Sequence, residues 1–257
     1  MVIFDEINDA AGFCLDSLAP TELEFVRGLI FDQYLGRIKQ LQPDLVPIAR
    51  ERGMSRYHTL PTTFDHSKSW PKASRLLDPK YVADFARMGF FRRIQSQFGP
   101  SAVISHDELN WRLVRPNQPN DIGPIHADKW FWDAGYGYGS MPANFDRFKI
   151  WIAIHTEPGA NGLCVKPGSH RQEWKHHFEE KDGVSKPVFD EDPNTIETEL
   201  LPLGPGNLVM FHDELLHGGV VNRGNTCRVS IELTVLFDRS DAMKRATTLR
   251  QELIAVA

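Results

Sequence analysis

The chain lacks the features that mark secreted, membrane-spanning and nucleic-acid-binding proteins. Its three cysteines are an odd, widely spaced set, which favours a reducing compartment over a disulfide scaffold. No run of 18 apolar residues is present, and the acidic N-terminal segment does not resemble a signal peptide. The net charge is −5, and no stretch concentrates Lys and Arg. These absences predict a cytoplasmic protein with neither a nucleic-acid nor a membrane partner.

No linker, internal repeat or low-complexity segment divides the sequence, so we expect one domain over residues 1–257. The hydrophobic pattern nevertheless changes along the chain. Residues 1–100 predict a helical N-terminal part, residues 101–238 a jelly-roll core, and residues 239–257 a C-terminal helix.

Capping residues predict two helices in the N-terminal part. The first helix begins at a capping-box pattern, Thr21 with Glu24, and its apolar spacing stops before Pro43. The second helix is expected over residues 78–99, where Asp-Pro stands at the start and Gly-Pro at the end. Residues 50–77 between them are predicted to be loop.

Short β runs separated by Gly, Pro and Asn follow from residue 101. We expect strands near 101–105, 109–115, 148–155, 162–166, 197–203, 207–211, 215–221 and 226–237. Strands at this spacing without helices between them are typical of an antiparallel barrel or jelly roll. The predicted fold class is therefore mainly β with flanking helices.

Two histidines and one aspartate are the candidate metal ligands. His126 and Asp128 stand two residues apart at a predicted strand end, where alternate side chains point the same way, and His217 lies on a later strand. Two imidazoles and one carboxylate leave three octahedral positions open, which is the donor set of non-haem Fe(II) oxygenases. The spacing alone is not diagnostic, because five histidines have an acid two positions later.

Arg228 and Ser230 lie beyond His217 and share one face of the last long strand. The planar fork of an arginine pairs bidentately with a carboxylate. This pair is therefore the candidate anchor for a 2-oxo acid cosubstrate.

Two alternatives stay open for these residues. Arg228 could form a structural ion pair with Glu199 or Glu232. His212 could be the distal ligand, since Arg223 follows it at the same eleven-residue spacing. We favour the later pair because Arg-x-Ser is complete only there, and because Arg223 stands in a turn-like segment.

Four separated segments resemble the phytanoyl-CoA dioxygenase family. They are Gly-Pro-Ile-His-Ala-Asp (123–128), Lys-Ile-Trp-Ile-Ala-Ile (149–154), Asn-Gly-Leu-Cys-Val-Lys-Pro-Gly-Ser-His (161–170) and Gly-Asn-Leu-Val-Met-Phe-His-Asp-Glu-Leu-Leu-His-Gly (206–218). Asn222, Arg228 and Ser230 continue the last pattern, and the resemblance covers about residues 109–237. The chain departs from the pattern at Asn207, where the family commonly has an aspartate.

The resemblance implies a double-stranded β-helix, a cupin-like barrel, that binds Fe(II) and 2-oxoglutarate and uses O2 to hydroxylate a C–H bond. His126, Asp128 and His217 would be the metal ligands, and Arg228 with Ser230 would bind the cosubstrate. The ligand carboxylate disfavours a halogenase, which needs an open position for halide.

Candidate substrate contacts are Arg112, Lys129 and Trp130, which lie near the metal pair in sequence, and His170, whose Pro-Gly-Ser-His turn could approach the barrel mouth. Their charge fits a small polar or anionic metabolite, such as a sugar acid, a phosphonate or a natural-product intermediate, better than an acyl-CoA. The aromatic segment 129–147 is predicted to form a rim or lid, although packing against the barrel explains its aromatics equally well. Rival functions are a non-catalytic jelly-roll protein that binds a metabolite or carbohydrate, and a cupin-type metalloenzyme that does not use 2-oxoglutarate.

The remaining histidines have simpler interpretations. His58 and His66 are expected at the surface, His155 at a strand end, and His176 with His177 in a polar helix or loop.

Overall fold

The computed structural model describes residues 2–105, 109–135, 141–181 and 184–256. Its α-helices are α1 (Ile3–Asn8), α2 (Pro20–Leu41), α3 (Val46–Arg52), α4 (His66–Ser69), α5 (Val82–Arg87), α6 (Gly89–Phe98), α7 (Asp128–Asp133) and α8 (Arg239–Val256). Its strands are β1 (Phe13–Ser17), β2 (Val103–Ile104), β3 (Asn110–Val114), β4 (Phe145–His155), β5 (Leu163–Val165), β6 (His176–Lys181), β7 (Val184–Phe189), β8 (Glu199–Leu200), β9 (Asn207–His212), β10 (His217–Gly219) and β11 (Arg228–Asp238).

Antiparallel sheets form the centre of the fold. The larger sheet runs β1-β9-β4-β11, and both β2 and β3 pair with the far edge of β11. The smaller sheet has the order β10-β5-β8, while β6 and β7 form a separate hairpin. Apolar side chains of the two larger sheets share one cluster, including Trp151 from β4 and Val165 from β5. The sheets therefore pack face to face.

The strand period of two decides what each face of the larger sheet carries. On β11, Val229, Ile231 and Leu233 belong to the hydrophobic cluster that includes the helices. The alternate residues, Arg228 and Ser230 among them, point the other way, towards the smaller sheet. The barrel interior thus receives polar side chains from a strand whose outer face is wholly apolar. The helices and the larger sheet share one core, although a single domain over the whole chain stays a prediction.

The first predicted helix is present and ends at Leu41, before Pro43. Its cap differs from the prediction. The backbone N–H of Ala19 donates to the Glu22 carboxylate at 2.8 Å, so Thr21 with Glu24 is not the capping pair. Glu22 also accepts a hydrogen bond from the backbone N–H of Gly89, the first residue of α6.

The second predicted helix is interrupted, contrary to expectation. Met88 has an extended backbone (ψ 152°), which separates α5 from α6. An anionic side chain is favourable at a helix N-terminus, and Glu22 supplies one at the start of α6. A contact with a residue 67 positions away therefore stabilises the break, and no local pattern contains that information.

The loop prediction for residues 50–77 is wrong, because this segment contains short helical turns that pack around aromatic rings. The Trp70 ring stacks on Tyr34 at 5.8 Å and meets Trp111 edge-on at 5.4 Å. His66 is not a surface residue as predicted, since its side chain is only 10% exposed and Nδ1 lies 3.1 Å from the Tyr57 hydroxyl. Turns of four to six residues are too short to show helical periodicity.

Three strands escape the sequence analysis. Strand β1 lies within the predicted helical part and pairs with β9, with Phe13 opposite Phe211. Strands β6 and β7 form the hairpin, so the prediction of a helix or loop for His176 and His177 is wrong. The segment between Lys175 and Asp190 lacks a regular apolar alternation, because this hairpin is outside the main core. No helix of the described ranges is long and apolar enough to cross a membrane.

Four phenylalanines join the N-terminal helices to the sheet. Phe98 of α6 lies 4.8 Å from Phe148, 4.9 Å from Phe237 and 6.1 Å from Phe4, measured between ring centroids. Phe98 is fully buried, so its ring packs on β4, β11 and α1 at once.

Phe98→Ala should lower the free energy of unfolding by about 3–5 kcal/mol, because it leaves a cavity where three elements meet. Urea titration followed by circular dichroism measures the loss. Phe25→Ala is the matched control, since Phe25 is 42% exposed on α2 and its truncation should change stability by only about 0.5 kcal/mol. Equal losses in both variants would contradict this account of the core.

Candidate metal centre

The structure brings His126, Asp128 and His217 together. One ligand atom from each side chain lies within 4.8 Å of the other two. Nε2 of His126 is 3.8 Å from Asp128 Oδ1, and Nε2 of His217 is 3.5 Å from Asp128 Oδ2. Three donor atoms this close, from two imidazoles and a carboxylate, can bind one divalent metal ion.

Backbone hydrogen bonds set the separation of the two histidines. The N–H of His126 donates to the His217 carbonyl at 3.0 Å, and the N–H of His217 donates back at 2.9 Å. The sequence predicted that Asp128 and His126 lie together at a strand end. In the structure, Asp128 is instead the first residue of α7. Ala127 between them is extended (φ −109°, ψ 139°), so the two-residue spacing still directs both side chains to one point.

An ion pair fixes the helix that Asp128 begins. The N–H of Lys129 donates to the Asp213 carbonyl at 2.9 Å, and Nε of Arg147 donates to the Asp213 carboxylate at 2.7 Å. The Arg147 guanidinium also lies 4.5 Å from the ring centroid of Trp132 on α7. Strand β4 and the β9–β10 turn thus hold the start of α7 in place.

Each imidazole is oriented for metal binding by a backbone carbonyl. Nδ1 of His126 lies 2.9 Å from the Pro124 oxygen and Nδ1 of His217 lies 2.8 Å from the Leu215 oxygen. A carbonyl only accepts, so Nδ1 carries the proton in both rings and Nε2 keeps its lone pair. Burial also lowers the pKa of His126 to about 4, which keeps the ring neutral, the form that binds a metal.

The carboxylate completes the donor set. Burial alone would raise the pKa of Asp128, but the nearby Lys149 ammonium holds it below its usual value. Oδ2 of Asp128 is buried and accepts no hydrogen bond within the described part of the chain. An ionised, buried oxygen that faces two imidazole lone pairs fits a metal ion.

Arg228 is a buried cation with no anionic partner in the described part of the chain. It is 2% exposed, donates to the Gly162 carbonyl at 2.7 Å, and leaves Nε without a hydrogen bond. Among residues that the structure describes, no carboxylate lies within ion-pair distance, so pairs with Glu199 or Glu232 are not formed. Burial lowers the pKa of Arg228 to about 10, which still leaves it charged at neutral pH. Ser230 is buried beside it on the same face of β11.

A hydrogen-bonded turn fixes the start of β11. The Asn222 side chain donates to the carbonyls of Val114 and Thr226 at 3.1 and 2.8 Å. The Glu157 carboxylate accepts from the N–H groups of Asn225 and Thr226 at 3.0 and 2.8 Å. These bonds hold the backbone immediately before Arg228.

His212 and Arg223 do not form the alternative site. The His212 ring accepts a hydrogen bond from the Glu214 N–H at 3.1 Å and lies beside His170, with 5.2 Å between ring centroids. Arg223 is exposed. The structure therefore places His217, and not His212, with the His126 and Asp128 pair.

Two predicted substrate contacts are occupied by neighbouring protein groups. The Lys129 ammonium lies 2.7 Å from Asp133 along α7. Trp130 is buried and stacks on His176 of the hairpin, with 4.6 Å between ring centroids. For Trp130 the packing interpretation is therefore favoured over the rim or lid.

His170 is 7% exposed and donates from Nε2 to the Asn8 carbonyl at 3.1 Å. Together with Lys129 and Trp130 it lines a surface cavity of about 480 Å³. Tyr136 and Tyr138 of the predicted lid lie outside the described residues.

Arg112 lies inside the barrel mouth. It stands opposite Ser230 in the β3–β11 register, and its guanidinium is 3.7 Å from the Glu232 carboxylate. Sequence reasoning considered Glu232 only as a partner for Arg228, and it missed two buried polar residues of the barrel, Thr234 and Lys149. The signal that could have identified them is the occurrence of polar residues at alternate positions of a strand whose other residues are apolar.

Comparisons with known proteins agree with this architecture. The family model of phytanoyl-CoA dioxygenases matches residues 44–230. The fold is similar to the non-haem monooxygenase ThoJ in its apo form (14% identity, 93% of this chain and 80% of that chain, TM-score 0.55). It is also similar to EvdO2 from Micromonospora carbonacea var. aurantiaca complexed with 2-oxoglutarate (17%, 88% and 86%, TM-score 0.54).

A third similar structure is EctD from S. alaskensis in its apoform (17% identity, 94% of this chain and 78% of that chain, TM-score 0.54). At such identities the likeness concerns the fold, and the predicted double-stranded β-helix is confirmed. No curated protein sequence matches the chain.

His217→Ala should abolish specific Fe(II) binding, because it removes one of three converging donors. His212→Ala should keep Fe(II) affinity and lose some stability, since it removes the acceptor for the Glu214 N–H. Anaerobic Fe(II) titration, with thermal unfolding of each metal-free variant, measures both effects. Intact binding in His217→Ala together with lost binding in His212→Ala would move the distal ligand to His212.

Proposed function

Because the chain belongs to the phytanoyl-CoA dioxygenase family, we propose that it is an Fe(II)- and 2-oxoglutarate-dependent hydroxylase of a small polar or anionic metabolite. The observation that carries this proposal is Arg228. A fully buried guanidinium without a described anionic partner is costly unless a ligand supplies the anion. It lies inside the same barrel as the three converging donor atoms.

His126, Asp128 and His217 are the residues proposed to hold ferrous iron. The donor set of two neutral imidazoles and one carboxylate suits that ion and leaves coordination positions for other ligands. When bound, the iron supplies the activation of O2 that removal of a hydrogen from carbon requires. The carbonyls of Pro124 and Leu215 keep the rings aimed at the shared point.

Arg228 and Ser230 are proposed to bind the distal carboxylate of 2-oxoglutarate. The guanidinium has unused donors for a bidentate contact, and the serine hydroxyl adds a further donor. Trp151 lies over the guanidinium at 5.8 Å, and the apolar interior around it excludes water. A charge-assisted hydrogen bond is stronger in such a dry site.

The proposed substrate is a small molecule with polar or anionic groups. The cation of Arg112 at the barrel mouth supports that choice, and a sugar acid, a phosphonate or a natural-product intermediate fits it. A location in the cytosol is part of the proposal and agrees with three buried cysteines that form no disulfide.

Metal-loaded protein should bind 2-oxoglutarate. Anaerobic addition of Fe(II) and 2-oxoglutarate should give the weak visible charge-transfer band of a chelated 2-oxo acid, and O2 should then yield succinate. Absorption spectroscopy and succinate analysis measure both. A non-catalytic binding protein would form no succinate, and a cupin-type enzyme independent of 2-oxoglutarate would show neither the band nor calorimetric binding.

Arg228→Ala should raise the 2-oxoglutarate dissociation constant roughly 30- to several-thousand-fold, because truncating one member of a buried charged pair costs about 2–5 kcal/mol. Fe(II) affinity should stay unchanged, and Arg228→Lys should recover only part of the loss. Arg223→Ala is the matched control, since Arg223 is exposed at the turn before β11. Unchanged 2-oxoglutarate affinity in folded Arg228→Ala protein would eliminate Arg228 as the anchor.

A further inference from the structure

A cavity lined by two arginines lies between the N-terminal part and the barrel. It has a volume of about 230 Å³. Its lining combines the guanidinium groups of Arg75 and Arg112 with polar and apolar groups of both parts of the chain, among them Ser67, Trp70, Asn120 and Ile122. The loop that ends in His126 forms one wall, since Gly123 also lines the cavity.

Two backbone carbonyls hold the guanidinium of Arg75 in place. Its Nε donates to the Trp70 carbonyl and its Nη1 to the Trp111 carbonyl, each at 2.9 Å. Across the described ranges no carboxylate lies within ion-pair distance of this guanidinium. Burial lowers its pKa to about 10, so it remains charged at neutral pH with N–H donors to spare.

Arg112 is similarly available for a ligand. The one charged contact of its guanidinium in the described part of the chain is with Glu232, at 3.7 Å, and this side chain donates no hydrogen bond there. The cavity's own acid, Asp121, is already satisfied by Arg115, whose Nε and Nη2 donate to both carboxylate oxygens at 2.9 and 2.8 Å. Three arginines therefore face two carboxylates, which leaves a net positive charge.

His66 adds no charge to this balance. Burial lowers its pKa to about 4, so the ring is neutral although Nε2 lies 3.6 Å from Asp121. The excess charge belongs to two side chains that converge from different parts of the sequence. Arg112 also stands opposite Ser230, on the barrel face that carries the proposed cosubstrate anchor.

We propose that Arg75 and Arg112 form a subsite that binds an oxyanion group, a carboxylate or a phosphate, of the substrate beside the metal centre. Two guanidinium forks supply bidentate, charge-assisted hydrogen bonds to such a group. Asn120 and Ser67 add neutral polar atoms, and Trp70 and Ile122 bound the cavity. The role in substrate binding rests on the proposed function, whereas the binding of an anion does not.

The test uses metal-free, full-length protein with inorganic phosphate and acetate as probes. Thermal unfolding at increasing concentrations of each salt, against chloride at equal ionic strength, gives an apparent dissociation constant. Arg75→Gln and Arg112→Gln should each raise the constant roughly tenfold or more. Arg87→Gln is the matched control, because Arg87 is an exposed arginine that pairs with Asp84 away from the cavity. Whichever probe binds more tightly identifies the oxyanion.

Arg112→Gln keeps the test decisive if Arg75→Gln fails to fold, since the Arg112 side chain donates no hydrogen bond to any described residue. The proposal is overturned if neither salt stabilises the wild type more than chloride, or if the arginine variants bind like the control. It is also overturned if Arg228→Ala abolishes phosphate binding, which would place the anion in the cosubstrate site. Loss of the 2-oxoglutarate band alone, with anion binding still dependent on Arg75 and Arg112, would contradict only the proposed function.

Discussion

The pair of backbone hydrogen bonds between His126 and His217 is the constraint on which the centre of this molecule depends. It joins the loop after β3 to the start of β10, two segments separated by 90 residues, and sets the distance between two imidazoles. Because each ring is also held through Nδ1 by a carbonyl of its own segment, little freedom remains at Nε2. Asp128 needs only one extended residue, Ala127, to reach the same point.

Electrostatics separate the barrel interior into two regions. Around the three donor atoms, positive and negative groups are close together, and the Asp128 carboxylate stays ionised despite its burial. Around Arg228 the surroundings are apolar, and the positive charge has no described partner. The first region matches a cation and the second matches an anion, so a metal ion and a dicarboxylic acid would each complete a different part of the interior.

The sequence predicts the features that depend on short-range periodicity. Alternation on β4, β9 and β11 identifies the barrel, and residues that must share a face, such as Arg228 and Ser230, follow from a period of two. The structure also brings together the three candidate ligands, although their binding of iron stays a prediction. The features that were missed depend on distant contacts. Met88 breaks a predicted helix because Glu22 caps the next one, and β1 is a strand because β9 offers an edge.

Arg75 shows most clearly that the local sequence does not reveal a position fixed by distant contacts. Its helical turn lies in a segment that looks like loop, and nothing in the local sequence indicates that it packs on β3. Its position depends on carbonyls of Trp70 and Trp111, which come together only when the aromatic cluster forms. A residue whose function depends on tertiary packing carries no motif of its own.

The turn held by Asn222 and Glu157 makes the backbone before β11 rigid. Side chains there bond to backbone atoms, and a Cβ on Gly224 would lie 2.6 Å from the Glu157 carboxylate, so few substitutions fit. The cavity at Arg112 is instead lined largely by side chains from the helical part and from the loop after β3. Mutations at the barrel mouth can therefore alter its shape and charge while the rigid turn stays unchanged. A lineage of such proteins can in this way exchange one substrate for another and keep the same cosubstrate.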